Sequence, residues 1–218
     1  MQYKRDEGLE ELILEEMVQG YQDPTRQHPS VTDLIYCLTR AWYQQAGARH
    51  SRTTKMYFAL GLGLEANLLV GRKTVLAAGE FEGVHYHIDS LDQSLMVELK
   101  TTRMAPNKFP EGMPVKWLQQ ILSYCKTQNT TKAKLVVLHI IQAELIAWDL
   151  EFTQEEVDRN WEWVQDRKKE WYFAEESGEA PKEFTFNEDW ECRDCNYKVI
   201  CDSREMLRRY EAGKNKDA

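Results

Sequence analysis

Three side chains, Asp89, Glu98 and Lys100, have the types and spacing to share one small site. Val84, Tyr86 and Ile88 alternate with polar neighbours, which predicts a half-buried strand. Asp89-Ser90 and Asp92-Gln93-Ser94 carry turn chemistry, and Leu95 to Leu99 reads as a second strand, so a hairpin is expected. Side chains alternate across a strand, so Glu98 and Lys100 leave the same face, with Asp89 ending the neighbouring strand. Two carboxylates can hold a divalent metal, and a lysine beside them can meet a reacting phosphate. That chemistry is hydrolytic. The same E-x-K pair also occurs as ordinary exposed charge on a strand, so its meaning depends on what accompanies it.

The elements that must position these groups follow from periodicity and capping. Residues 1–28 are charged and hold one amphipathic stretch, Leu9, Leu12, Ile13 and Met17, read as a short helix. Ser30-Val31-Thr32-Asp33 is a capping box, and Val31, Leu34, Ile35, Leu38 and Trp42 continue at helical spacing to about Gln45. Cys37 lies within that helix, where a lone cysteine is ordinarily core. Thr54 to Val70 is a second helix, mostly apolar, in which Gly61 and Gly63 each cost up to ~1 kcal/mol against alanine. Glu65 is the only charged residue between Lys55 and Arg72, and burying it without a partner is costly.

Beyond the hairpin, a loop with prolines at 106, 110 and 114 leads to a helix from Pro114 or Val115 to about Lys126. Gln120 and Tyr124 share one of its faces. An amide and a phenol there can hold a phosphate, a water or the lysine, although any amphipathic helix can show such a pair. Lys134 to Gln142 reads as a buried strand and Glu144 to Phe152 as another. Thr153 and Glu156 form a second capping box, and the helix after them carries Val157, Trp161, Val164 and Trp171. Residues 175–181 read as a linker.

The chain has 218 residues and a net charge of −8, which argues against coating nucleic acid by bulk electrostatics. A metal held by carboxylates reverses the local potential, so a nuclease is not excluded. Arg103, Lys108 and Lys116, just past the proposed site, are either a local basic patch for DNA or a solvated loop. The acidic start lacks an apolar leader segment and no run approaches a membrane span, so no membrane partner and a cytoplasmic location are expected.

Cys192, Cys195 and Cys201 form C-x2-C-x5-C, a density that packing alone rarely produces. Three thiolates need a fourth; Cys37 is available, while Cys125, on the helix with Gln120 and Tyr124, is assigned to the core. On spacing alone, four thiolates suit structural zinc or an iron–sulfur cluster.

Asp89, then Glu98-Leu99-Lys100, resembles the PD-(D/E)xK nuclease superfamily. Gln119 to Tyr124 resembles the Q-x-x-x-Y motif of its RecB-type members. With Cys37 early and the other three cysteines late, the order resembles RecB-like iron–sulfur exonucleases, above all the CRISPR-associated "Cas-four" family. The resemblance spans residues 30–203. It implies an α/β fold, a restriction-endonuclease-like mixed sheet flanked by helices, with an iron–sulfur lobe joining N- and C-terminal segments. One nuclease domain over 1–218 is expected, with its core at about 46–180 and the cluster lobe from 30–45 and 185–218.

The resemblance further implies that Asp89, Glu98 and the Leu99 carbonyl hold Mg²⁺ or Mn²⁺, with Glu65 standing where such nucleases often place a histidine. Lys100 would orient the attacking water or stabilise the transition state, and Gln120 and Tyr124 would position substrate. Cys37, Cys192, Cys195 and Cys201 would hold a 4Fe-4S cluster. The implied partners are DNA, as single-stranded or frayed ends, and the CRISPR integrase complex, for which ends would be trimmed before spacer insertion. A stand-alone phage or repair exonuclease, or a non-catalytic iron–sulfur DNA-binding or redox-sensing module, are the alternatives. His85 and His87 flank the site on the strand.

Overall fold

A computed structural model describes residues 7–18, 28–45, 52–69, 75–92, 95–181, 191–192 and 195–214. Its centre is a five-stranded mixed sheet in sequential order: β1 (Val75–Phe81), β2 (Val84–Asp92), β3 (Leu95–Thr102), β4 (Lys132–His139) and β5 (Glu144–Glu151). Neighbours are antiparallel except β3 and β4, which run parallel. A parallel pair needs a crossover, and α5 (Val115–Thr127) supplies it. β1 and β2 join through Glu82 and Gly83, both at positive φ, the two-residue turn that matches strand twist.

Around the sheet lie α1 (Glu7–Val18), α2 (Val31–Ile35), α3 (Leu38–Gln45), α4 (Arg52–Leu69), α6 (Gln154–Ser177) and α7 (Lys198–Lys214). The core unites Leu34 and Ile35 of α2, Ile88 of β2, Ile121 of α5, Leu135 and Val137 of β4, and Trp161, Val164 and Trp171 of α6. α1 packs on α4, where Leu14 is buried and the Lys55 ammonium donates to Glu11 and Glu15 at 2.6 Å each. Among the described residues no helix is long and apolar enough to cross a membrane.

Four local expectations need correction. The single helix over 30–45 is two: Tyr36 turns extended (φ −93°, ψ −168°) between α2 and α3. Arg167 of α6, 3% exposed, accounts for the break, because its guanidinium donates to the Leu34 and Tyr36 carbonyls. Asp89-Ser90 is no turn; β2 runs on to Asp92, and these two residues are a bulge. Between Leu91 and Ile88, β2 uses two residues where β1, between Val75 and Ala77, uses one. β4 ends at His139 rather than Gln142, and alternates buried with partly exposed positions. The expected linker over 175–181 is first the end of α6, which stops at Gly178 in the left-handed conformation. Its remainder is held, Thr39 donating to the Pro181 carbonyl at 3.1 Å.

Both capping boxes are present, at Ser30 with Asp33 and at Thr153 with Glu156. α5 begins after Pro114 and α4 spans the expected apolar segment.

Candidate active site

Strand pairing places the acids. β2 and β3 pair at Asp92↔Leu95, Leu91↔Met96 and Ser90↔Val97, and then part. Where the ladder stops, the Asp89 carboxylate takes over from backbone: its Oδ2 accepts the Leu99 N–H at 2.8 Å. The bulge thus aims Asp89 at β3 while Ile88 stays in the core. On β3, Glu98 and Lys100 align with Leu135 and Val137 of β4, core residues, so both point to the helix-covered face.

On that face the polar groups form a connected set. Lys100 Nζ donates to Glu98 Oε1 at 2.6 Å and to Gln120 Oε1 at 2.7 Å. Gln120 Nε2 donates to the Tyr124 hydroxyl at 2.9 Å. Glu98 and Tyr124 are buried, and the Lys100 side chain is 18% exposed, so the lysine is where solvent or substrate reaches the set. Asn160 of α6 holds the far side of α5, its amide donating to the Gln119 carbonyl and the Ser123 hydroxyl at 3.0 Å each.

Electrostatics sorts these groups. Burial pulls the Lys100 ammonium toward neutrality, but Glu98, Tyr36 and Asp89 outweigh it, and its pKa ends above the ordinary lysine value. Lysine here stays charged. Burial raises the Asp89 carboxyl, opposed by Lys100, the Leu99 N–H and His87. Burial also raises the Tyr124 phenol, with Glu98 adding to it, so it remains a neutral hydrogen-bonding group.

The structure therefore brings together Asp89, Glu98, Lys100, Gln120 and Tyr124, with the Leu99 backbone between the acids. Their donors toward a metal are all oxygen, and two carboxylates beside one ammonium leave a net negative charge, which fits a hard divalent cation. Glu65 lies in α4, but its side chain is outside the described residues. Arg103 and Lys108 are exposed, and Arg103 donates to the Tyr57 hydroxyl at 3.1 Å. Lys116 corrects the expectation of a basic patch: it is 3% exposed and ion-paired with Glu191, so it is inaccessible to DNA. His87 is exposed beside the site, whereas His85 turns to Glu80 and His28.

None of the five cysteines is in a disulfide. Cys37 is buried at the break between α2 and α3, and Cys192, Cys195 and Cys201 are partly buried. Burial raises the Cys192 thiol, and Cys37 and Cys195 raise it further, so each of the two lies within electrostatic reach of Cys192. The soft donor set suits four-thiolate ligation. The Tyr43 and Tyr197 rings stack at 5.1 Å, which ties α3 to the segment before α7. Among the described residues no three or more His, Cys, Asp or Glu side chains stand already gathered around a metal position. Cys125 is fully buried and its thiol is pushed up to about 12 by burial, as suits a core residue.

Sequence reasoning missed Tyr36, Arg167 and Glu191. For Arg167 a signal existed, since it sits within the apolar stripe that Val157, Trp161, Val164 and Trp171 define.

No family model matches the chain, and no curated protein matches it in sequence. Among solved structures, the crystal structure of SSO0001 aligns over 92% of this chain and 96% of its own, at 20% identity and a TM-score of 0.54. That likeness shows the fold alone. A phage related exonuclease from Haemophilus somnus 129PT aligns over 68% of this chain and 81% of its own, at 12% identity and a TM-score of 0.46. An alkaline exonuclease from Laribacter hongkongensis aligns over 68% and 82%, at 10% identity and a TM-score of 0.46. Scores at that level decide nothing about function.

Proposed function

We propose that this chain is a divalent-metal-dependent deoxyribonuclease, an exonuclease acting on single-stranded or frayed DNA ends. One observation carries the reading: two acids, a charged lysine, an amide and a phenol converge at the point where β2 and β3 part. Asp89 and Glu98, with the Leu99 carbonyl, would hold Mg²⁺ or Mn²⁺. Such an ion, when bound, supplies Lewis acidity toward a phosphate oxygen and lowers the pKa of water.

The chain's own groups do the rest. Glu98 and Gln120 engage two of the three Lys100 ammonium donors, and the third would serve a phosphate oxygen. Because the ammonium is fixed before substrate arrives, it stabilises charge growing on the phosphate without reorganising. Tyr124 anchors Gln120, and Asp89, by holding the Leu99 N–H, fixes the backbone between the acids.

Cys37, Cys192, Cys195 and Cys201 would hold a 4Fe-4S cluster joining the two ends of the fold. The order of motifs supports a place among RecB-like iron–sulfur exonucleases, with trimming of DNA ends alongside the CRISPR integrase as the role. The test is digestion of end-labelled single- and double-stranded DNA with Mn²⁺. Progressive shortening from ends is expected. A metal-loaded protein that binds these substrates and leaves them intact would reduce the site to a binding module.

A further inference from the structure

Lys116 is a buried cation that the proposed chemistry leaves unused. It lies one turn before Gln120 and two before Tyr124, so all three share one face of α5, and all three are buried. Its ammonium pairs with Glu191, both side chains being 4% exposed. The same ammonium stands 5.0 Å from the centre of the Tyr36 ring. Tyr36 and Glu191 are the residues immediately before Cys37 and Cys192. The contact is thus where both cysteine-bearing segments meet the helix that carries Gln120.

A buried ion pair loses hydration on both partners, and apolar side chains of similar volume often hold a helix as firmly. What the pair adds is direction. It has one favourable geometry, whereas an apolar contact tolerates a slide. Gln120 Oε1 sits 2.7 Å from Lys100 Nζ, a distance that a shift of about 1 Å along the helix axis would break.

We propose that Lys116 and Glu191 are positioning residues of the catalytic site: their ion pair sets the placement of α5 that keeps the Gln120 carbonyl on Lys100. The inference rests on the reading of Lys100 as the catalytic lysine. It deepens that reading by tying the cysteine-bearing ends of the chain to the lysine through α5.

Steady-state cleavage of an end-labelled single-stranded oligonucleotide with Mn²⁺ tests it, using the full chain below each variant's measured melting midpoint. Glu191→Gln and Lys116→Met should each lower kcat about 10- to 100-fold with KM within about twofold. Lys116→Arg, which keeps the pair, should stay within about threefold of wild type. The discriminating measurement repeats Glu191→Gln in a Gln120→Ala background. There it should change the residual kcat by less than about twofold, because the contact it acts through is already gone. A merely structural role would multiply the two losses instead.

Independent multiplication, a raised KM at unchanged kcat, or Glu191→Gln with wild-type kcat each overturns the inference. Should Lys116→Met fail to fold, the near-isosteric Glu191→Gln carries the test. A wild type that cleaves nothing removes the nuclease reading and this inference with it. A cleaving wild type with an unaffected Glu191→Gln variant removes this inference alone.

Discussion

Arg167→Met is expected to unfold the break between α2 and α3 at a cost that the hydrogen bonds define. The guanidinium is buried on α6, with Nε donating to the Leu34 carbonyl and Nη2 to the Tyr36 carbonyl at 2.5 Å. Methionine replaces much of the stem and neither donor. The bond to Leu34 is buried and that to Tyr36 part-buried; a buried carbonyl deprived of its donor costs about 1–3 kcal/mol and a part-buried one less, so the two together cost about 2–5 kcal/mol. The guanidinium lies 4.9 Å from the Trp163 ring, a contact that contributes about 0.5–1 kcal/mol more. Part of this returns, because burial disfavours the charge and already pulls the Arg167 pKa below its ordinary value.

A net loss of about 2–5 kcal/mol is a large share of the stability of a folded chain. For a chain of this length it lowers the melting midpoint by roughly 5–15 °C. Thermal unfolding followed by circular dichroism measures it. A fall of under about 2 °C would show that the two carbonyls find other donors and that Arg167 does not hold the break.

Lys100→Ala and Asp89→Ala should each lower DNA cleavage at least about 100-fold with far-ultraviolet dichroism preserved, and full activity in either would dismantle the site. Removal of divalent ions by a chelator should stop cleavage, and Mn²⁺ should restore it; activity untouched by chelation would contradict carboxylate-held metal. Cys195→Ser should lose iron content, visible colour and melting temperature together, whereas a colourless wild type carrying stoichiometric zinc would refute the cluster. Glu156 supplies a pH signature: hydrogen bonds to Thr153 lower its pKa from the ordinary 4.5 in the folded chain. A depressed folded pKa contributes stability that is full above the unfolded value and lost as pH falls through the folded one. Glu156→Gln should therefore melt below wild type at neutral pH and converge with it in acid; a gap that widens in acid would reverse the sign.

Much of the local architecture was legible because it depends on neighbours a few residues away. Ser30 with Asp33 and Thr153 with Glu156 announce helix starts by capping chemistry that spans one turn. The two-residue period of a strand put Glu98 and Lys100 together, and the helical period put Gln120 near Tyr124. Asp89-Ser90 carried a real signal that was misassigned: residues that favour departures from regular strand geometry marked a bulge, and turn chemistry does not distinguish the two.

The sequence by itself determined the capped helix starts at Ser30 and Thr153, the strand carrying Glu98 and Lys100, the helix carrying Gln120 and Tyr124, and which of their residues share a face, because backbone hydrogen bonding and side-chain alternation act locally. Only the tertiary structure decided that the helix over 30–45 breaks, since the donors that stabilise the break lie on α6, 133 residues from Leu34 in the chain. It alone decided that Lys116 is an interior ion-pair partner while Lys108 stays exposed. A lysine's composition is the same in both settings. Whether its charge is kept in water or buried depends on a counter-charge brought from elsewhere in the fold, and that balance of desolvation against pairing has no local signature.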